Sequence, residues 1–187
     1  VSVLNAGEAD VSHPTQGLLD LLTIRQNKQT LDGLTVTIVG DIAHSRVARS
    51  VFDGLSIMGN NEIRLVSPEG LAADKNLYPG AHISHKLDES IEGADVVMTL
   101  RIQRERIKEK SSLMTSLEYL QYFGLTEERI ALAKPDAIVM HPGPMNRDVE
   151  IAGAVADGPQ SVITQQVTNG LAIRMAVLAA ISDSWQK

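Results

Sequence analysis

The chain has no cysteine, so disulfides, thiolate metal sites and cysteine nucleophiles are all excluded. Aromatics are few, two Phe, three Tyr and one Trp in 187 residues, but the composition is otherwise that of an ordinary globular protein. Basic residues are outnumbered 17 to 23 by acidic ones, for a net charge of −6, and no basic stripe offers a footing for nucleic acid. No apolar run approaches the length of a membrane span, and no basic-then-apolar leader opens the chain. No P-loop or nucleophile-elbow pattern occurs, and Gly40 follows an apolar run without the rest of a dinucleotide fingerprint. What these absences leave is a cytoplasmic enzyme, with no membrane and no nucleic acid partner. The length suits one well-buried domain, or one domain with a C-terminal extension. The chain opens on Val1 rather than Met and reads as an excerpt whose upstream part is absent; removal of an initiator Met is the other reading.

What is present is an alternation of two periods. Residues 12–28 predict a helix: Ser12 or His13 can cap it, Pro14 suits its first turn, and Leu18, Leu19, Leu22 and Ile24 form its apolar stripe. Residues 35–39 are a β-branched strand, followed by a helix over 45–58 with Val47, Val51, Leu55 and Met58 on its apolar face. Residues 63–66 and, more weakly, 81–84 predict further strands, with an ambiguous segment over 69–79 between them. A short helix over 87–94 and strands at 95–98 and 137–140 complete the pattern, separated by a charged, mostly helical excursion over 104–134. Strands alternating with helices imply an α/β fold, an open and mostly parallel sheet with helices on both faces. The tail over 162–181 repeats Ile163, Val167, Leu171, Met175 and Leu178 at helical spacing, with a break expected at Asn169-Gly170. Its apolar face either packs on its own sheet or is left bare for a neighbour.

Three separated segments carry groups that do chemistry. In a parallel sheet the loops after strands 35–39, 95–98 and 137–140 leave by one edge, where such folds bind ligands. Those loops lead to Arg46, to Arg101 and Gln103, and to His141-Pro142-Gly143-Pro144. One arginine alone reads as a surface ion pair. Two at matched strand ends suit the two carboxylates of a small diacid, each held bidentately. His13 and Gln16 lie three residues apart at a helix start, on one face, where a helix N-terminus disfavours protonated imidazole. His13 then reads as a neutral donor to a carbonyl, and Gln16 as a reader of an amide, although both could simply cap the helix. Pro142 and Pro144 stiffen a turn that offers carbonyl oxygens, or form a plain turn after a strand. His82 and His85 fall in a strand, three apart and facing opposite ways, and are rejected as a metal pair.

In combination, His13-Pro14-Thr15-Gln16, Arg46, Arg101-Ile102-Gln103 and His141-Pro142-Gly143-Pro144 make the chain resemble the aspartate carbamoyltransferase family, in its second, aspartate-binding domain, from Asn5-Ala6-Gly7 to the last helix. The resemblance implies a Rossmann-like domain over residues 1–187 with a C-terminal crossover helix, whose tail over 162–187 packs toward an N-terminal domain. It implies catalysis without a cofactor or metal, on L-aspartate and carbamoyl phosphate. His13 would bond the carbamoyl carbonyl oxygen as the catalytic group, and Gln16 the carbamoyl amino group. Arg46 would hold the α-carboxylate of aspartate, and Arg101, assisted by Gln103, the β-carboxylate. The carbonyls of Pro142 and Gly143, in the turn closed by Pro144, would orient the two amino groups. Ornithine carbamoyltransferases resemble it less: they carry Cys where this chain has Thr15 and Gly143. The family's Ser-Thr-Arg-Thr phosphate loop does not occur in these residues, nor does the Ser and Lys loop contributed by a neighbouring subunit. The isolated chain is therefore expected to bind aspartate weakly and to turn over almost nothing. A homotrimer, and a dihydroorotase or regulatory chain as partner, belong to the same implication. The competing reading is a non-catalytic homologue that scaffolds a dihydroorotase-type enzyme.

Overall fold

A computed structural model describes residues 3–8, 11–102 and 114–184. Its helices are α1 (Pro14–Lys28), α2 (Arg46–Met58), α3 (Leu87–Ile91), α4 (Ser116–Phe123), α5 (Glu127–Ile130), α6 (Gly153–Ala156) and α7 (Ile163–Ser184). The strands are β1 (Thr35–Val39), β2 (Glu62–Val66), β3 (His82–Ser84), β4 (Val96–Thr99) and β5 (Ile138–Met140). The ambiguous segment after β2 holds one turn of 3-10 helix, Glu69–Leu71.

The strands form one sheet in the order β3-β2-β1-β4-β5, and every pairing is parallel. Ile38 lies between Leu65 and Met98, and Met98 pairs in turn with Met140. Alternate residues feed two cores. Val36, Ile38, Leu65, Val96, Met98 and Met140 pack with Ile24 of α1 and with Val51, Phe52 and Leu55 of α2. Val39, Val66, Val97 and Val139 pack on the other face with Ile91 of α3, Tyr119 and Phe123 of α4, and Val155 of α6. Aliphatic side chains at these depths each contribute on the order of 2–5 kcal/mol against truncation to Ala. The chain winds outward from β1 to β3, then returns to place β4 on the other side of β1. The switch point lies between β1 and β4, and ligands of such sheets bind at the carboxyl edge there.

Three helices differ from the sequence reading. In α1, Leu19 and Ile24 are buried, but Leu18 is exposed and Leu22 half-buried. The helix lies between α2 and α7, and toward α7 it turns a buried polar stripe of Gln16, Asp20 and Thr23. Helix α7 runs unbroken through Asn169-Gly170. Asn169 Nδ2 donates to Thr23 Oγ1 (2.8 Å) and Gln26 Oε1 (2.8 Å), and a Cβ on Gly170 would lie 3.3 Å from Leu19. The glycine is a point of close helix contact, not a breaker. The apolar stripe of α7 does not pack on the sheet: Ile163 is buried, while Val167, Leu171, Met175 and Leu178 are 58–73% exposed. In α2, likewise, Val51 and Leu55 are buried but Met58 is exposed. Among the described residues, no helix is long and apolar enough to cross a membrane.

Candidate active site at the carboxyl edge of the sheet

Gly40 ends β1 at φ +137°, and a Cβ there would meet Leu100 Cβ and its carbonyl oxygen, both at 2.9 Å. Only a glycine lets the loops after β1 and β4 approach this closely. Leu100 N–H donates to Val39 O (2.8 Å), which holds Arg101 beside the start of α2. Ser45 caps α2, its Oγ accepting from Ala48 N–H (3.1 Å), and fixes Arg46 in the first turn. On the outer side, Gly7 at φ +124° lies flat against that guanidinium, where a Cβ would be 3.0 Å from Cζ. Asn5 shapes this approach: its Oδ1 accepts from Gly7 N–H (2.8 Å) and its Nδ2 donates to Ser12 Oγ (2.8 Å).

His13 precedes α1 and makes no side-chain cap bond, contrary to the capping reading. Its backbone N–H is held by Ser50 Oγ of α2 (2.9 Å), and its imidazole Nδ1 is buried with no hydrogen-bond partner among the described residues. Burial first, then the positive charges of Arg46 and Arg174, hold its pKa below the usual 6.5. The imidazole is neutral near pH 7, for reasons of desolvation and neighbouring cations. Gln16, one helical turn on, is buried with its Nε2 donating to Asp20 Oδ1 (3.0 Å).

The third wall follows β5. His141 is turned inward as a support. Its backbone N–H donates to Gln166 Oε1 of α7 (2.9 Å), its Nδ1 accepts from Gly143 N–H (2.9 Å), and its Nε2 faces buried Glu150 Oε1 (3.2 Å). This ties down a turn in which Gly143 has φ +71° and the Gly143-Pro144 peptide is cis. Tyr119 lies beneath, its hydroxyl pKa raised by burial and then by Glu150 and Asp41.

The three walls enclose one cavity of about 270 Å³, lined by His13, Gln16, Ser45, Arg46, Val47, Leu100, Arg101, Pro142, Gly143 and Pro144. Seven of the eight residues singled out from the sequence therefore meet; the eighth, Gln103, and the charged run over 104–110 lie outside the described residues. Ser45, Val47 and Leu100 were not singled out, although Ser45 carries the N-cap signal of α2. Arg174 was missed because one arginine on a long helix gives no signal of its neighbour across the fold. Among the described residues no acidic side chain lines this cavity, so a chain of net charge −6 presents here a site for a small anion. Its polar groups are two guanidinium forks, a neutral imidazole, an amide and the carbonyls of a stiff turn. That set can hold two carboxylates and, between them, a group bearing both C=O and N–H.

Comparison with known proteins agrees with this geometry. Residues 32–181 match the family model described as Aspartate/ornithine carbamoyltransferase, Asp/Orn binding domain. The aspartate carbamoyltransferase catalytic subunit of Syntrophotalea carbinolica is 55% identical over 181 residues, which cover 97% of this chain and 57% of that protein. The aspartate transcarbamoylase of Trypanosoma cruzi in complex with carbamoyl phosphate superposes with a TM-score of 0.83 at 31% identity, over 92% of this chain and 57% of that one. The same enzyme in complex with carbamoyl aspartate and phosphate gives 0.79 at 31%, over 94% and 56%. The chain thus spans just over half the length of the relatives it matches.

Proposed function

The chain belongs to the aspartate/ornithine carbamoyltransferase family, as its Asp/Orn-binding domain, and on that premise we propose that it is the aspartate-binding half of an aspartate carbamoyltransferase. The reaction is carbamoyl phosphate plus L-aspartate to N-carbamoyl-L-aspartate and phosphate. The observation that carries this reading is the cavity in which Arg46, Arg101, His13, Gln16 and the Pro142–Pro144 turn converge, with no acidic side chain among its described lining residues. Arg46 takes the α-carboxylate and Arg101 the β-carboxylate. Two fixed forks place the neutral amine against the carbamoyl carbon, and such positioning is worth several kcal/mol of barrier, roughly 7–11 in the best-oriented cases.

In the reaction the amine nitrogen bonds to the carbamoyl carbon, and the C=O electrons move onto oxygen. The adduct collapses as the oxyanion's electrons re-form C=O, the bond from carbon to the phosphate oxygen breaks with its pair going to phosphate, and the surplus proton of the amine leaves with the phosphate. Neutral His13 donates to the developing oxyanion, Gln16 Oε1 accepts from the carbamoyl amino group, and the carbonyls of Pro142 and Gly143 accept from the two amino groups. A grip on the leaving phosphate is assigned to a segment outside these 187 residues. The exposed stripe of α7 is where a domain carrying that segment would seat, and a trimer of such chains is the expected assembly. The 187-residue chain then binds dicarboxylates and catalyses little.

Calorimetric titration tests this. Succinate, L-aspartate and N-carbamoyl-L-aspartate should bind, and L-ornithine, whose cationic side chain would face Arg101, should not. Binding of ornithine in preference to aspartate would overturn the assignment, and so would rapid turnover by the chain alone.

A further inference from the structure

We propose that Asp20, which lies beneath the cavity and does not line it, determines which atom of Gln16 faces the ligand, and so makes the site select a group with an N–H donor; the proposal rests on the function assigned above. A glutamine amide offers a donor at one end and an acceptor at the other, and exchanging them changes the shape very little. Here Nε2 is taken by Asp20 Oδ1 at 3.0 Å, while Gln16 lines the cavity with no hydrogen bond to its Oε1 among the described residues. Oδ1 offers lone pairs whether the carboxyl is ionised or carries its proton on Oδ2. In either state the nitrogen of Gln16 turns inward and the oxygen turns to the ligand.

The same oxygen sets the opposite wall. Gln166 Nε2 donates to Asp20 Oδ1 at 2.8 Å, which leaves Gln166 Oε1 to accept the backbone N–H of His141 at 2.9 Å. That bond anchors the turn carrying the Pro142 and Gly143 carbonyls. One buried atom thereby orients acceptors on two sides of the carbamoyl amino group.

The location is an expensive one for a carboxyl. Asp20 is fully buried, its Oδ2 has no hydrogen-bond partner, and no cation lies within ion-pair distance of it among the described residues. Leucine would fill the same space without the desolvation penalty. What leucine cannot do is accept from two amides at once. Burial pushes the Asp20 carboxyl up to about 7, although the bonds from Gln166 and Gln16 pull the other way.

The test compares N-carbamoyl-L-aspartate with N-acetyl-L-aspartate, which replaces the NH₂ by a methyl group and keeps both carboxylates. Succinate, which lacks the group altogether, reports on the arginines alone. The wild-type chain should prefer the carbamoyl compound by about three- to tenfold, the worth of one neutral hydrogen bond. Gln16→Ala should cut that preference to what the turn carbonyls contribute. Asp20→Leu should lower it at least as far, with succinate affinity unchanged, and Asp20→Asn, which keeps an oxygen at the Oδ1 position, should restore it. If Gln16→Ala lowers the preference but Asp20→Leu keeps it, the inference fails and the proposed function stands. If Asp20→Leu weakens succinate in parallel, the residue is merely structural and the inference again fails. If the wild-type chain shows no preference, the proposed function itself is wrong. Should Asp20→Leu not fold, the wild-type chain decides by NMR. The side-chain ¹⁵N resonances of Gln16 and Gln166 should move with the Asp20 carboxyl carbon at one shared midpoint; a Gln16 resonance that ignores it overturns the inference.

Discussion

Replacing Asp20 by Asn should remove a pH dependence from the stability of the fold. Burial raises the Asp20 carboxyl from its ordinary 3.8 to about 7 in the folded chain, against the pull of the Gln166 and Gln16 amides. Between these values the unfolded chain has released the proton and the folded chain keeps it, so folding takes one up. Stability is then fully present below pH 3.8 and is lost as pH rises through about 7. At 1.36 kcal/mol per pKa unit, the whole loss is about 4 kcal/mol. About 3 kcal/mol of it falls between roughly pH 5 and pH 8. An asparagine is neutral throughout and escapes this loss. Carboxylates held low in the folded state, such as Asp95 and Asp136, act in the opposite sense, but they are common to both chains and cancel in the difference. Urea unfolding followed by circular dichroism, at about pH 5 and about pH 8, measures that difference. Asp20→Asn should gain about 3 kcal/mol on the wild type from the lower to the higher pH. An equal offset at both would show that the buried carboxyl does not titrate in this window.

Arg101→Lys exchanges a bidentate fork for a point charge and should weaken succinate binding by about 1.5–3 kcal/mol, read by calorimetry; an unchanged affinity would mean that Arg101 does not touch the diacid. His13 should titrate by NMR below 6.5, and Arg46→Met, by removing a cation that lowers its pKa, should move the midpoint up. Because the folded chain holds His13 less readily protonated than the unfolded chain, its charging on acidification weakens the fold, and stability from this group rises with pH through that midpoint. Gly40→Ala puts a methyl group 2.9 Å from Leu100 at a φ of +137°, and should destabilise by about 1–3 kcal/mol in urea melts while also weakening succinate binding, since both arginine-bearing loops must shift.

The sheet was legible because buried parallel strands are short β-branched runs, and residues 35–39 and 63–66 could be little else. Once a parallel sheet is granted, the edge on which Arg46, Arg101 and Pro142 emerge follows from topology, and the structure brings all three to one cavity. The helices were less legible, for a different reason. Hydrophobic periodicity detects apolar stripes and takes them for the buried face. In α1 the stripe turned toward α7 is Gln16, Asp20 and Thr23, which carries no apolar mark. In α7 the apolar stripe is the exposed one, and the buried positions are Gln166, Asn169 and Gly170. A polar–polar seam between two helices leaves no mark in a single-sequence pattern. The neutral state of His13 expected at a helix terminus agrees with the structure, where burial, Arg46 and Arg174 lower its pKa as well.

That polar seam bears on what the site demands of its two sets of walls. The arginines are positioned by sheet geometry and by close backbone approach at Gly40 and Gly7, where van der Waals contact suffices to place a charge. A guanidinium is a donor at every edge and, once its loop is in place, tolerates rotation of its end group without offering the wrong polarity. The acceptors for an amide N–H do not, because a hydrogen bond weakens steeply as its angle opens and an amide turned over offers a donor where an acceptor is needed. Apolar packing between α1 and α7 would fix their separation but not the rotation of an amide. A chain of directional bonds from Gln16 through Asp20 and Gln166 to His141 fixes that rotation on both sides of the cavity. Damage to the seam should therefore appear first as lost discrimination between N–H and CH₃, with affinity for the bare diacid intact. Damage to Gly40 or Gly7 should appear the other way round.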